Sequence, residues 1–111
     1  MTDDRRHKGW TEADLRRVLP TTSVGVQGIV RFIATHPGCT SKQMAAALPL
    51  KSKRSVGPTL NGLTRAAREF GVLDAGEARW PFEYQGKQDG HDRYDMPPWV
   101  RAVVLDVLGE T

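Results

Sequence analysis

Acidic residues are missing from the whole middle of this 111-residue sequence. From Leu15 to Arg68 there is no Asp or Glu, while Arg16, Arg17, Arg31, Lys42, Lys51, Lys53, Arg54, Arg65 and Arg68 all stand there. Residues 69–111 run the other way, with nine acids against Arg79, Lys87, Arg93 and Arg101. The net charge of +3 therefore hides a basic block followed by an acidic one. Segregation of this kind is the electrostatic footprint of a polyanion binder.

Other absences narrow the classes further. The single Cys39 excludes an internal disulfide and fits a reducing compartment. No apolar run approaches bilayer length, and MTDDRRHKG lacks the apolar core of a signal peptide, so no membrane and a cytoplasmic location are expected. There is no glycine-rich phosphate loop, paired-carboxylate constellation or nucleophile elbow, so an enzyme is not expected. His36 and Cys39 sit at a metal-site spacing, but no second ligand pair accompanies them, and His7 and His91 are isolated. Zinc needs four ligands, or three and a water, so neither a metal nor a cofactor is expected. A Cys–His nucleophile pair would lack an orienting carboxylate and an oxyanion site. The length supports one domain with a modest core.

What is present is organised around Thr40 to Gly71. Thr40 and Gln43 have capping-box spacing at the head of a short helix ending at Leu48, before Pro49. The connector PLKSKR carries Lys51, Lys53 and Arg54 into a second helix, Ser55 to Phe70. Val56, Leu60, Leu63, Ala67 and Phe70 form its apolar stripe, and Pro58 is tolerated because it falls in the first turn. Gly71 is placed for a left-handed cap. The opposite face is predicted to hold Ser55, Pro58, Asn61, Gly62, Arg65 and Arg68, small groups flanked by long hydrogen-bonding ones. Such a face suits a DNA major groove, where arginine and asparagine pair bidentately with base edges. Two helices joined by a tight basic turn have helix-turn-helix geometry. An ordinary solvated face is the plain alternative.

Upstream, residues 1–9 read as a disordered tail. A short helix begins at Thr11, with Asp14 as its capping partner and Trp10 as a staple onto the core. A longer helix follows, from Thr22 or Ser23 to Thr35, buried through Val26, Ile29, Val30 and Ile33; Gly25 and Gly28 suggest close helix approach. Downstream the period changes to two. Val72 to Asp74 is a strand candidate, and Arg79 to Gln85 alternates with Trp80, Phe82 and Tyr84 on one face. A glycine-bounded tip, Gly86 to Gly90, returns the chain along His91 to Met96. Stacking of single-stranded bases on the aromatic trio lacks interleaved lysines and arginines, so packing against the helix is favoured. The stretch PPWVRAVVLDVL, from Pro97 to Leu108, reads as a helix apolar almost all round, and its surplus apolar area predicts an interface joining two copies.

Three helices, a helix-turn-helix and then a hairpin resemble the winged helix-turn-helix family, over about Thr22 to Met96. The expected fold is thus α+β and mainly α, with a three-helix core, a two-stranded wing and a C-terminal helix. Residues 10–96 would form the domain, and residues 97–111 a helix serving as a possible dimerisation element. The resemblance implies that Ser55–Phe70 enters the major groove of double-stranded DNA and that the wing tip, through Lys87 and Arg93, reaches the backbone. Contacts are then expected from Lys42, Lys51, Lys53 and Arg54 to phosphate, with Arg31 as a further candidate, and from Ser55, Thr59, Asn61, Arg65 and Arg68 to bases. A sequence-specific transcriptional regulator, homodimeric and nucleoid-associated when bound, is the expected function. The wing departs from the pattern because Glu83, Asp89, Asp92 and Asp95 outnumber its bases. A winged-helix module for protein–protein interaction within a larger assembly is therefore the alternative.

Overall fold

Side-chain caps start the first three α-helices in the computed structural model, which describes residues 6–50, 55–88 and 91–109. Helix α1 (Glu12–Val18) starts at Thr11, whose hydroxyl accepts from Asp14 N–H while its own N–H donates to the Asp14 carboxylate. Partial burial pushes the Asp14 carboxyl up. Hydrogen bonds from the Thr11 backbone, Arg17 and the Thr11 side chain outweigh this and hold it below its ordinary value. A 3-10 turn (Leu19–Thr21) leads to α2 (Val24–Thr35), capped by Ser23. Helix α3 (Ser41–Ala47) has the full Thr40–Gln43 capping box, with bonds of 3.1 and 2.9 Å. Helix α4 (Val56–Glu69) closes in a Schellman motif. In it Gly71 takes φ 77° and donates to the Arg68 carbonyl, and Val72 N–H donates to that of Ala67.

This motif corrects the expected strand at Val72–Asp74. The amides of Val72 and Leu73 are both turned back to the Ala67 carbonyl, so they cannot join a ladder, and the segment is irregular with Leu73 buried. The aromatic strand is also shifted. It does not begin at Arg79. Instead β3 spans Glu83–Gln88 and pairs antiparallel with β4 (His91–Asp95), Tyr84 facing Tyr94, with an irregularity between Gln85 and Gln88. Residues 79–82 lack ladder partners for a physical reason. Pro81 has no N–H to give, the Arg79 carbonyl accepts from the Trp10 indole at 2.8 Å, and the Phe82 carbonyl accepts from Lys8 at 3.4 Å.

The second of those donors, Lys8, comes from a stretch expected to be disordered, residues 1–9, and Trp10 follows it directly. Strands β1 (Arg6–His7) and β2 (Trp10–Thr11) pair across a two-residue turn in which Lys8 and Gly9 have φ of 51° and 82°. Positive φ at both positions is what a tight hairpin turn demands. An added Cβ at Gly9 would also meet the Arg79 guanidinium at 3.2 Å. Trp10 is fully buried, as its place before the cap predicts.

The core gathers Leu15, Leu19, Ile29, Ile33, Met44 and Leu60 with the aromatic side of the hairpin. Phe82 and Tyr94 are buried, and Trp80 stacks on Phe82 at 5.4 Å. Strand β4 is tied to the turn between α2 and α3 by two hydrogen bonds, Gly38 N–H to Tyr94 O and Tyr94 N–H to Cys39 O. Helix α5 (Pro98–Leu108) lies along α2 and α1, with Val100, Val103 and Val104 buried. Arg101 donates to the Ala34 carbonyl at the end of α2, and Arg31 donates to the Leu108 carbonyl at the end of α5. Each helix thus supplies an arginine to the partner's orphan carbonyls. The result is an α+β fold, mainly helical, in which α5 belongs to the core. Trp99, Leu105, Val107 and Leu108 on it are partly buried. Among the described residues the exposed large apolar side chains are Val24, Phe70 and Tyr84, none of them on α5. No helix among the described residues is long and apolar enough to cross a membrane.

Two helical glycines, Gly28 of α2 and Gly62 of α4, should respond in opposite directions to an added methyl. At Gly28 the new group would meet only Leu48 Cδ2, at an ordinary contact distance of 4.0 Å, so Gly28→Ala should stabilise. Helix propensity sets the gain at about 0.5–1 kcal/mol. At Gly62 the methyl would sit 3.1 Å from Val26 Cγ2, on a stiff branched side chain that is itself buried. Gly62→Ala should therefore cost about 1 kcal/mol net of the propensity gain. Urea denaturation of both variants checks this, and equal signs would dismiss the close approach of α4 to α2.

Candidate nucleic-acid interface

Helix α4 is held on three sides, and its fourth side is the candidate surface. Inward it buries Val56, Leu60, Leu63 and Ala67. On one flank Gly62 closes on Val26 of α2, and Thr59 lies beside Gly25, whose Cβ position is 3.4 Å from Thr59 Cγ2. Gly62, on the outward face by the helical wheel, is half-buried: it borders the open side beside Arg65 and is at the same time the point of contact with α2. On the other flank the indole of Trp80 donates to the buried Thr64 hydroxyl at 3.2 Å. There too Arg68 donates through Nε and Nη2 to the Glu77 carbonyl, at 3.0 and 2.6 Å.

Asn61 and Arg65 remain, exposed on the outward side, and neither makes a hydrogen bond or ion pair with another described residue. Lys42 is exposed in the first turn of α3 and is likewise without such a partner. Ser55 and Thr59 are half-buried. Lys51, Lys53 and Arg54 lie outside the described residues, as does the side chain of Lys87, whose backbone belongs to β3. Of the expected base readers, then, Asn61 and Arg65 share the open face, while Arg68 is drawn sideways to a carbonyl.

An open groove of about 660 Å³ runs beside this row. One wall is α4, with Pro58, Arg65, Glu69 and Phe70; the other is the turn into α2, with Thr21 and Ser23. The acidic hairpin does not wall it, since β4 packs on α2 and α3. Sequence reasoning misses Glu69 because the charge count assigns it to the acidic block that begins at residue 69 and not to the helix it ends. Its four-residue step from Arg65 is the signal that could have found it.

The acid-free block is not a uniform basic patch. Arg16 pairs with Asp106 at 2.7 Å and with Glu12 at 3.0 Å. Arg17 pairs with Asp14 at 2.9 Å and lies 6.0 Å over the Phe70 ring. Arg31, expected as a further phosphate contact, is spent on the Leu108 carbonyl. Among the described residues no group of His, Cys, Asp and Glu gathers that could hold a metal ion.

The hairpin's acidity has its own structural use. Glu83 stands opposite Asp95 across the two strands, an arrangement of like charges that disfavours pairing. Lys8 Nζ approaches Glu83 Oε2 at 3.1 Å, and His7 Nε2 lies 2.9 Å from Oε1 without hydrogen-bond alignment. The hydrogen bond from Lys8, aided by the nearby charges of Lys8 and His7, holds the Glu83 carboxyl below its ordinary value against a small desolvation push upward.

Compared with protein-family models, with known proteins and with solved structures, the chain finds no match. The interface therefore rests on its own geometry.

The Glu83 contact sets a pH dependence with a definite sign. A carboxyl whose folded value is lowered contributes stability above its ordinary range and loses it as pH falls through the folded value. Because the side chain is 47% exposed, the contribution is screened. Glu83→Gln should cost less than about 1 kcal/mol at pH 7. It should also flatten the loss of stability between about pH 5 and pH 3. Denaturation midpoints measured across that range check it, and an unchanged acid limb in the variant would contradict the contact.

Proposed function

We propose that this chain is a winged helix-turn-helix protein that binds duplex DNA sequence-specifically, as a transcriptional regulator, with α4 in the major groove. The observation that carries the reading is the exposed pair Asn61 and Arg65, without partners among the described residues, on a helix fixed along its other sides. A guanidinium and a carboxamide four residues apart on one rigid face are the groups that read guanine and adenine edges. The element order supports the same reading. The hairpin is the next regular element after α4 and leans through the Cys39–Tyr94 bridge on the turn between α2 and α3. Lys42 stands ready for phosphate at the head of α3, and Lys51, Lys53 and Arg54 supply three more cations in the connector. Location in the cytoplasm, on the nucleoid, belongs to the proposal.

A pair of copies joined along α5 also belongs to it, through the half-buried rim of Trp99, Leu105, Val107 and Leu108. A palindromic selected site holding two chains supports the pair, and one chain on one half-site removes it.

The alternative, a module for protein–protein interaction, is favoured by Tyr84, 44% exposed on a hairpin whose opposite face carries the Glu83 and Asp95 carboxylates. Salt separates the two. Contacts to several phosphates weaken steeply with rising salt, whereas an apolar protein interface barely responds.

In a duplex titration Arg65→Ala should cost about 1–3 kcal/mol and relax the sequence preference. Lys53→Ala should weaken all sequences alike and lower the salt slope by about 1. Wild-type behaviour from both variants, or no binding to any duplex at low salt, would overturn the reading.

A further inference from the structure

The outward row of α4 does not stop at the basic residues. Asn61, Arg65 and Glu69 recur every four positions, so they line one side of the helix about 6 Å apart. All three are exposed, and Arg65 and Glu69 border the same groove. A cation and an anion at this spacing could pair, yet no ion pair joins them. Arginine preceding glutamate is the less favourable order for such a pair. Arg68, the remaining arginine of the last turn, is held by the Glu77 carbonyl on another side of the helix. The groove-facing end of α4 therefore presents an unspent carboxylate where a second arginine was expected.

A carboxylate brought between two phosphate walls is repelled by them. It is tolerated there when it meets a hydrogen-bond donor, and the donor that a cytosine offers in the major groove is its N4 amine. Resting on the duplex-binding reading above, we infer that Glu69 is a specificity-determining residue that accepts from the amine of a cytosine. That cytosine lies about two base-pair steps from the pair met by Arg65, the distance that four residues of helix span. Glu69 thereby rejects bases that present an acceptor at that position. It also sets the direction in which α4 lies in the groove, because the end carrying Glu69 must face a base edge.

The test selects bound sequences from a random duplex pool with wild type, Glu69→Gln and Arg65→Ala. Glu69 is exposed, so its replacement leaves the core intact. The expected result is a cytosine at one selected position for wild type, replaced by adenine with Glu69→Gln, which pairs with glutamine. The preference at that position should change by about tenfold while the Arg65-dependent position stays as it was. If Glu69→Gln selects the same sequences, or binds every duplex more tightly by the same factor, the carboxylate only repels phosphate and the inference is overturned. If wild type selects nothing and Arg65→Ala changes nothing, the duplex reading falls, and the role of Glu69 with it. The first failure leaves an Arg65-dependent preference standing, and the second leaves none.

Discussion

The approach of α4 to α2 at Gly62 is the constraint from which the rest of the surface follows. A Cβ there would sit 3.1 Å from Val26 Cγ2, so the two helices meet where one of them has no side chain. That contact fixes the rotation of α4 about its own axis. With Gly62 turned to α2 and Leu60, Leu63 and Ala67 turned to the core, Asn61, Arg65 and Glu69 have no direction left but outward. A larger residue at position 62 would have to tilt or roll the helix, and every group on the open face would move with it. The rigidity of the candidate surface is thus a packing property of its hidden side.

A second theme is the capture of backbone carbonyls by side-chain donors. Between the end of α4 and the start of β3 the chain runs without regular structure, and its polar groups need partners. Arg68 serves Glu77, Trp10 serves Arg79, and Lys8 serves Phe82. Trp80 meanwhile reaches back to the hydroxyl of Thr64 on α4. The two indoles work in opposite directions on neighbouring residues, one donating into the segment from the N-terminal hairpin and one donating out of it to α4. An apolar body with a single polar donor suits this use, because the ring fills the core while the N–H satisfies a group that would otherwise be buried unpaired.

These captures explain what could be read from the sequence. The capping boxes at Thr11–Asp14 and Thr40–Gln43, and the left-handed Gly71, are local patterns, and the structure shows all of them. The helices α2, α4 and α5 follow their apolar periods to within a residue or two. Failures come where a distant partner decides. Val72 to Asp74 reads as a short strand but is turned back on the Schellman cap, and β3 starts four residues late because carbonyls of its expected first half are taken by residues 8 and 10. The polar stretch before Trp10 looks like a tail by composition, yet Lys8–Gly9 makes a turn and the turn finds Glu83. For the candidate site, Asn61, Arg65 and Lys42 were legible from helical spacing. The diversion of Arg68 and Arg31, the closing of Gly62 on Val26, and the place of Glu69 were not.

Charge counting along a chain also hides a distinction that bears on function. Arg16 and Arg17 pair with carboxylates, so their positive charge is largely cancelled at a distance. Arg31 and Arg68 instead donate to neutral carbonyls, which fixes the guanidinium without neutralising it. Arg68 is therefore a charge held in place beside α4, with Glu77, the nearest acid in that loop, engaged by Arg79 and the Asp74 amide. An ion pair removes a base from the field that a polyanion would feel, whereas a carbonyl contact anchors it in that field at a defined distance. Among the described residues, the carboxylates that meet bases of the acid-free block belong to Glu12, Asp14 and Asp106, all outside it and all engaged with Arg16 or Arg17. Between Leu15 and Arg68 no carboxylate of the block itself offsets Lys42, Arg65 and Arg68, and the first acid along the chain is Glu69.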